Sequence, residues 1–334
     1  MSITYTKDVY PYECEKYECS TVEEAKLKLN EYGVAIIKDV LNQEECLNMQ
    51  EGMWSFLETV TSKFPTPINR WDSKTWINMK ELYPMHHMLI QHWSVGHAQF
   101  MWNLRQNPKI LDVFRKLWNE KDLISSFDGC SFNMPPEYTG NGWFKKSWLH
   151  SDQNYTRNTD ECFQSWVTAF DVNEGDATLC FLENSHKYHK AFQERFNITD
   201  KGDWYLLDNK TSSQDEHNFY LNNNCPKKFI KCKAGSMVLW NSKTIHCGVE
   251  PIKDRPQANF RCVAYICMTP KKLASETIIK KRIKAFEEMR MTTHWPHKSI
   301  LFGKKPHTYG KVILEITPIP RPQLSEVGRK LVGY

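Results

Sequence analysis

Residues 163–183, FQSWVTAFDVNEGDATLCFLE, read as two strands joined by a tight turn. Both arms are short extended runs rich in aromatic and β-branched residues. Asn173, Glu174 and Gly175 between them supply the short polar side chain and the glycine that such a turn needs. Runs of the same kind lie on either side: LISSFDGCSFNM (123–134), SWLHSD (147–152), SMVLWNS (236–242) and ANFRCVAYICM (258–268). Several short strands separated by turns argue for an antiparallel double-sheet barrel or jelly roll, mainly β with flanking helices. The polar stretch from about Asn197 to Pro226 interrupts this pattern and reads as a long surface insertion.

Ahead of the strands the signals are helical. Ser20 with Glu23 three positions on forms a capping box for a helix ending at Gly33, and VAII follows as a strand. Asn42 with Glu45 repeats the device, and Cys46, Met49, Met53, Trp54, Leu57 and Val60 recur behind it at helical spacing, as core residues do. Residues 61–105, rich in Trp, His and Met without a clean period, suit loops and short helices at one end of the fold, where a substrate mouth can form. His86, His87, His92 and His97 fall there without ligand spacing. Asn107 and Pro108 then start a helix with Ile110, Leu111, Phe114, Leu117 and Trp118 on one apolar face. The division expected is a helical region over 1–121, a β core over 122–270 with an insertion near 190–230, and an extension over 271–334.

At 334 residues, 40% hydrophobic and 25% charged, the chain is long enough to bury a full core. The start, MSITYTKDVYPYE, is neither basic nor apolar, and no window approaches the length of a membrane span, so a cytoplasmic protein is expected. Eleven cysteines, an odd number without C-x-x-C pairs, suit reduced thiols. The net charge of +5 is unevenly spread: residues 271–334 hold 14 Lys and Arg against 5 Glu.

Chemistry enters at SWLHSD. His150 and Asp152, two positions apart on an extended segment, share one sheet face, so one strand can supply two ligands to one metal. Two His and one carboxylate bound facially leave open positions on iron. The third ligand is expected on a later strand, and AGSMVLWNSKTIHCG offers His246. Arg261 sits in an apolar run with no acidic neighbour, and a buried guanidinium there needs a carboxylate, either a distant Asp or Glu or a ligand.

LNEYGVAIIKDVLNQEECLNMQ, SWLHSDQNY, WVTAFDVNEGDATLCFLENSHKYH and GSMVLWNSKTIHCG occur in the order found in the phytanoyl-CoA dioxygenase-like branch of Fe(II)/2-oxoglutarate oxygenases, which the chain resembles over roughly residues 22–268. The resemblance implies a double-stranded β-helix (jelly roll, cupin-like), Fe(II) held by His150, Asp152 and His246, and 2-oxoglutarate paired through its C5 carboxylate with Arg261. It also implies Trp166 in the cosubstrate pocket, with Asn133 as a further candidate, and O2 as the oxidant. Two departures stand out. Gly248 occupies the place where relatives often carry Ser or Thr, and a longer loop before Arg261 makes Arg255 a rival anchor.

The reading that follows is a dioxygenase hydroxylating a small molecule with release of succinate and CO2; Asp152 fills the position that a halide would need. An oxygenase acting on nucleic acid or protein, suggested by the basic C-terminus, and a binding protein on the same fold compete with it. Gln153, Asn154 and Tyr155 could orient substrate or serve ordinary loop hydrogen bonding; His186 and His189 read as structural. At the C-terminus, Lys271 to about Met291 reads as a helix with Ile278, Ile279, Ile283, Phe286 and Met289 on one face and Lys280, Lys281, Arg282 and Lys284 on the other. TTHWPHKSILFGKKPHTYG after it suits either a lid over the site or a solvated tail.

Overall fold

The computed structural model of the protein describes residues 11–83, 88–208, 214–304 and 314–334; His86 and His87 lie outside them. Its strands are β1 (Tyr12–Glu13), β2 (Glu18–Cys19), β3 (Val34–Ile37), β4 (Leu123–Ser125), β5 (Cys130–Asn133), β6 (His150–Ser151), β7 (Phe163–Thr168), β8 (Thr178–Leu182), β9 (Tyr205–Leu206), β10 (Lys227–Ile230), β11 (Met237–Asn241), β12 (His246–Val249), β13 (Arg261–Tyr265) and β14 (Met268–Pro270). The helices are α1 (Val22–Tyr32), α2 (Gln43–Val60), α3 (Gln99–Arg105), α4 (Pro108–Trp118), α5 (Pro136–Thr139), α6 (His189–Phe196), α7 (Asp215–Asn222), α8 (Glu276–Glu287) and α9 (Glu326–Val332).

The strands form two sheets, ordered β1-β10-β8-β12-β6-β9 and β2-β3-β11-β7-β13-β5, with β14 and β4 paired apart. Alternation along each strand shows why. In the second sheet Val34, Ile36, Trp166, Val238 and Val263 face a core shared with Leu179, Phe181 and Ile230 of the first sheet. Their neighbours Ala35, Ile37, Val167, Met237, Leu239, Cys262 and Ala264 face the helices instead. A sheet covered on both sides needs apolar residues on both faces, so these strands read as near-continuous apolar runs. The result is a jelly-roll core with flanking helices, two open sheets rather than one closed barrel.

The turn at 173–176 forms as expected but joins the two sheets, because β7 and β8 do not pair. Gly175 has φ 83°, and a Cβ there would lie 2.5 Å from the Cβ of Arg255. Glycine is required on both counts.

Several expectations need correction. The first capping box is Thr21 with Glu24, whose carboxylate accepts from Ser20 N–H at 2.9 Å, one residue later than the Ser20–Glu23 reading. The box at Asn42–Glu45 holds. LISSFDGCSFNM is two strands, broken at 126–129. The insertion does not merely interrupt the sheet: β9 pairs with β6, Leu206 opposite His150 and Tyr205 opposite Ser151, so it supplies the sheet's edge strand. The C-terminal helix is shorter than expected, capped by Ser275 and ending at Glu287.

Arg282 is the largest departure. It is not on a charged face with Lys280, Lys281 and Lys284 but fully buried. Its guanidinium donates to the carbonyls of Ser125 (2.6 Å), Pro296 (3.0 Å), Leu331 (3.0 Å) and Val332 (3.1 Å). One side chain therefore ties β4, the segment after α8 and α9 together. Arg282→Met would leave these carbonyls without their donor, and we expect a loss of about 3 kcal/mol of unfolding free energy. Denaturant titration tests this; an unchanged midpoint would refute the staple.

His97, fully buried, donates from Nε2 to Arg290 O at 2.8 Å, and burial pushes its pKa down to about 3. Below pH ~6.5 the unfolded chain takes a proton that the folded ring refuses, so stability falls as pH drops from there toward 3. His97→Gln keeps a donor without the titration. Its stability should decline with acidification less steeply than wild type by about 1.4 kcal/mol per pH unit, the effect of one proton. Parallel curves between pH 7 and 5 would contradict this assignment.

Candidate metal and cosubstrate site

His150 in β6 and His246 at the start of β12 lie directly opposite each other on neighbouring strands. The ladder ends at Ser151, and Asp152 lies at a bend whose N–H donates to Ser242 O at 3.3 Å. Its carboxylate still meets both rings: Oδ2 is 3.6 Å from His150 Nε2 and 3.2 Å from His246 Nε2. The three donor atoms lie within 4.8 Å of one another, and all three residues are buried.

The partners of the rings fix what they present. His150 Nδ1 is 3.0 Å from Trp148 O and His246 Nδ1 is 2.8 Å from Thr244 O. A carbonyl only accepts, so each Nδ1 carries a proton and each ring turns its Nε2 inward, where that of His246 accepts from Trp240 Nε1–H at 3.2 Å. Two lone pairs and a carboxylate aimed at one point repel unless a cation lies among them. Two imidazoles and one carboxylate suit a divalent metal such as Fe(II) with positions left open, and the donor set fits. Burial pushes the Asp152 carboxyl up, but His294, His150 and His246 around it outweigh burial and hold it well below the usual range. Gln164 Nε2 donates to Asp152 Oδ2 at 2.9 Å, and Trp148 stacks on His150 with centroids 4.5 Å apart.

Arg261 enters the same cavity from β13. Its Nε donates to Ser131 Oγ at 3.1 Å and one terminal nitrogen to Ala177 O at 2.9 Å, while its guanidinium lies 5.4 Å from the Trp166 ring centre. These partners are a hydroxyl and a carbonyl, not a carboxylate. The rival Arg255 is satisfied within the protein, paired with Glu137 at 2.8 Å and Asp176 at 2.6 Å. Trp166 lines the cavity, and its buried Nε1 has no hydrogen-bond partner in the protein. Asn133 lies opposite Arg261 in register but not on the cavity wall. Its amide donates to Tyr83 Oη (3.2 Å) and accepts from Ser131 Oγ (3.0 Å), so it meets Arg261 only through Ser131.

The cavity measures about 600 Å³ and holds His150, Asp152, His246, Trp166 and Arg261. Its outer walls come from elements far apart in sequence: Asp203 and Trp204 in the insertion, and His294, Trp295, Ile300 and Phe302 after α8. The Trp- and His-rich run after residue 291 signalled the second wall; nothing in the polar insertion signalled the first. Gly248 also lines the cavity, and a Cβ there would meet only Met88, at 3.8 Å.

The polar residues after Asp152 serve the scaffold. Gln153 donates to the carbonyls of Arg157 and Thr159, and Asn154 to those of Asp200 and Gly202, pinning the insertion beside the site. Tyr155 Oη meets Tyr220 Oη at 3.0 Å. His186 bonds to Asn30 O and His189 lies between Gln153 O and Asn158, while His92 packs near Phe302. The eleven cysteines are free, and no described helix is long and apolar enough to cross a membrane.

Comparison with known proteins gives a family and a fold. A family profile described as phytanoyl-CoA dioxygenase matches residues 29–250, a span that includes His150, Asp152, Trp166 and His246 and stops before Arg261. Ava biosynthesis cluster protein O of Aspergillus versicolor is 26% identical over 213 residues, 62% of this chain and 66% of its own length, slightly less than two thirds of that relative. Among solved structures, a hypothetical protein of Escherichia coli, JW0805, superposes with TM-score 0.57 at 16% identity, covering 93% of this chain and 82% of its own. GlcNAc Inducible Gene 2 of Candida albicans does so with TM-score 0.52 at 11% identity, covering 80% and 67%. These two likenesses concern the fold. With the profile covering most of the chain, the protein belongs to the phytanoyl-CoA dioxygenase family of Fe(II)/2-oxoglutarate oxygenases.

Proposed function

We propose that the protein is an Fe(II)/2-oxoglutarate-dependent dioxygenase that hydroxylates a small molecule, with release of succinate and CO2. One observation carries the reading: a cavity with three inward-facing metal donors also holds a buried arginine that meets no carboxylate among the described residues. His150, Asp152 and His246 would hold Fe(II), and Arg261, backed by Ser131 and Asn133, would take the far carboxylate of 2-oxoglutarate beside Trp166. With O2, these groups supply oxidative decarboxylation of the cosubstrate coupled to oxygenation of a nearby C–H bond. The protein's part is orientation and exclusion. Gln164 fixes the Asp152 oxygen, the carbonyls of Trp148 and Thr244 fix the ring tautomers, and the tryptophan walls keep water out.

The segment after α8 acts in this reading as a cap that couples succinate formation to the substrate. Deleting 292–334 is a poor test of that role, because it also removes Trp295, Leu331 and Val332 from the core. Exposed Lys280, Lys281 and Lys284 on α8 would favour a nucleic-acid substrate, which predicts salt-sensitive polynucleotide binding. The cavity of about 600 Å³ favours a small molecule. Incubation with Fe(II), 2-oxoglutarate, ascorbate and fractionated cell extract tests the proposal. We expect succinate and the gain of one oxygen atom by one component of a small-molecule fraction; no succinate in any fraction would refute it.

A further inference from the structure

The outer half of the cavity shows what it is shaped to hold. Trp204, from the insertion, is 54% exposed, and Ile300, from the segment after α8, is 43% exposed, yet both line the cavity that contains the metal donors. Exposed apolar side chains on the walls of a cleft mark a surface that a ligand covers. The cavity is also to hold the cosubstrate, so a substrate's body must lie in this outer half.

The two walls are locked to each other. Lys298 bridges Asp203 at 3.0 Å and Glu161 at 3.5 Å, Arg157 pairs with both acids, and the Lys298 ammonium lies 3.6 Å over the Trp295 ring. Trp295 itself is buried. The width of the slot is therefore set by structure already in place.

The charges lining the slot limit what enters. Among the described residues Arg261 is the one Lys or Arg on the wall, and the oxygenase reading assigns it to the cosubstrate. Of the acids there, Asp152 belongs to the metal donors, Asp203 is paired with Arg157 and Lys298, and Asp128 accepts from the N–H of Gly129 at 2.7 Å. Among the described residues an anion therefore finds no free cation on the wall. Polar capacity does remain: His294 lines the cavity, and its buried Nε2, like the neighbouring Thr293 Oγ1, has no hydrogen-bond partner in the protein. A buried polar atom left unpaired carries a desolvation cost that a ligand group would recover.

We propose that the substrate is a non-anionic, largely aromatic small molecule whose body lies between Trp204 and Ile300 and whose single polar group, a hydroxyl or carbonyl, is held by His294; this rests on the oxygenase reading above. The probe is 2-naphthol, titrated into metal-free, full-length protein so that binding does not require turnover. We expect saturable binding at one site. Trp204→Ala should weaken it at least tenfold, and His294→Leu should do the same, with partial recovery in His294→Gln. Naphthalene, which lacks the hydroxyl, should respond to Trp204→Ala but not to His294→Leu. In Arg261→Leu protein, which removes the wall's cation, naphthalene-2-carboxylate should bind at least tenfold more weakly than 2-naphthol.

Absence of saturable 2-naphthol binding, equal sensitivity of 2-naphthol and naphthalene to His294→Leu, or tighter binding of the carboxylate in Arg261→Leu protein would each overturn the proposal. Melting curves of each variant show whether the fold is kept. A misfolded His294→Leu leaves His294→Gln, where naphthol affinity and selectivity over naphthalene both equal to wild type also count against it. Succinate formation is measured separately. Succinate without naphthol binding removes this inference alone, and naphthol binding without succinate removes the oxygenase reading instead.

Discussion

Asp152→Ala is expected to abolish Fe(II)-dependent conversion of 2-oxoglutarate to succinate, by roughly three orders of magnitude or more, since the site loses its only anionic metal donor. Each of the two imidazoles that remain keeps its Nδ1–H on a backbone carbonyl, and neither brings an anionic oxygen in place of the one lost. The fold should survive. The Asp152 side chain meets Gln164 and the two histidines but ties no secondary-structure elements together beyond them. Circular dichroism and a melting curve should match wild type while succinate formation disappears; persistent activity would remove the triad assignment.

The second large effect separates two arginines six residues apart. Arg261→Leu should raise the 2-oxoglutarate concentration needed for half-maximal turnover by about 100-fold or more, the loss of a charge-assisted, two-point contact in a buried site. Arg255→Leu should leave that requirement near wild type and instead cost stability, on the order of 3 kcal/mol, because Glu137 and Asp176 lose the cation they share. From sequence alone Arg255 reads as a rival anchor in a polar loop before Pro256. The structure shows it buried and clamping α5 to the 173–176 turn. If Arg255→Leu raised the cosubstrate requirement and Arg261→Leu did not, the anchor would have to move to the loop.

What the sequence made legible followed from local periodicity and from residue types with few alternative uses. The strands flanking residue 173 could be read because a sheet buried on both faces leaves long apolar runs, and Gly175 marked the turn because nothing else fits against Arg255. His150, Asp152 and His246 stood out as chemistry-bearing residues at strand positions, and the structure brings them together. Arg261 and Arg255 could be ranked only by apolar context, and burial with or without a carboxylate partner is a tertiary fact.

The misses have physical reasons too. Ser20 and Thr21 are equally good caps, and Glu23 and Glu24 equally good partners, so the box could slip by one residue without any violation of the pattern. Arg282 lies among lysines on α8, and only its four carbonyl partners, from β4, the 296 region and α9, reveal that it points inward. Trp204 sits in a polar stretch with no period. Its place on the cavity wall depends on a two-residue strand, β9, pairing with the strand that carries His150, a contact spanning more than fifty residues. Pairings of that kind are set by the fold as a whole and leave no local signature.

The central claim is that one cavity holds Fe(II) on the triad and 2-oxoglutarate between the metal and Arg261. Anaerobic titration of the purified protein with Fe(II) and then 2-oxoglutarate tests it most directly, because a cosubstrate chelating ferrous iron produces a visible charge-transfer band without any need for the true substrate. The account predicts that the band appears and saturates in wild type, is absent in Asp152→Ala, and in Arg261→Leu appears only at much higher 2-oxoglutarate. A wild-type protein that binds Fe(II) but never develops the band, or a band of full strength in Asp152→Ala, would contradict it.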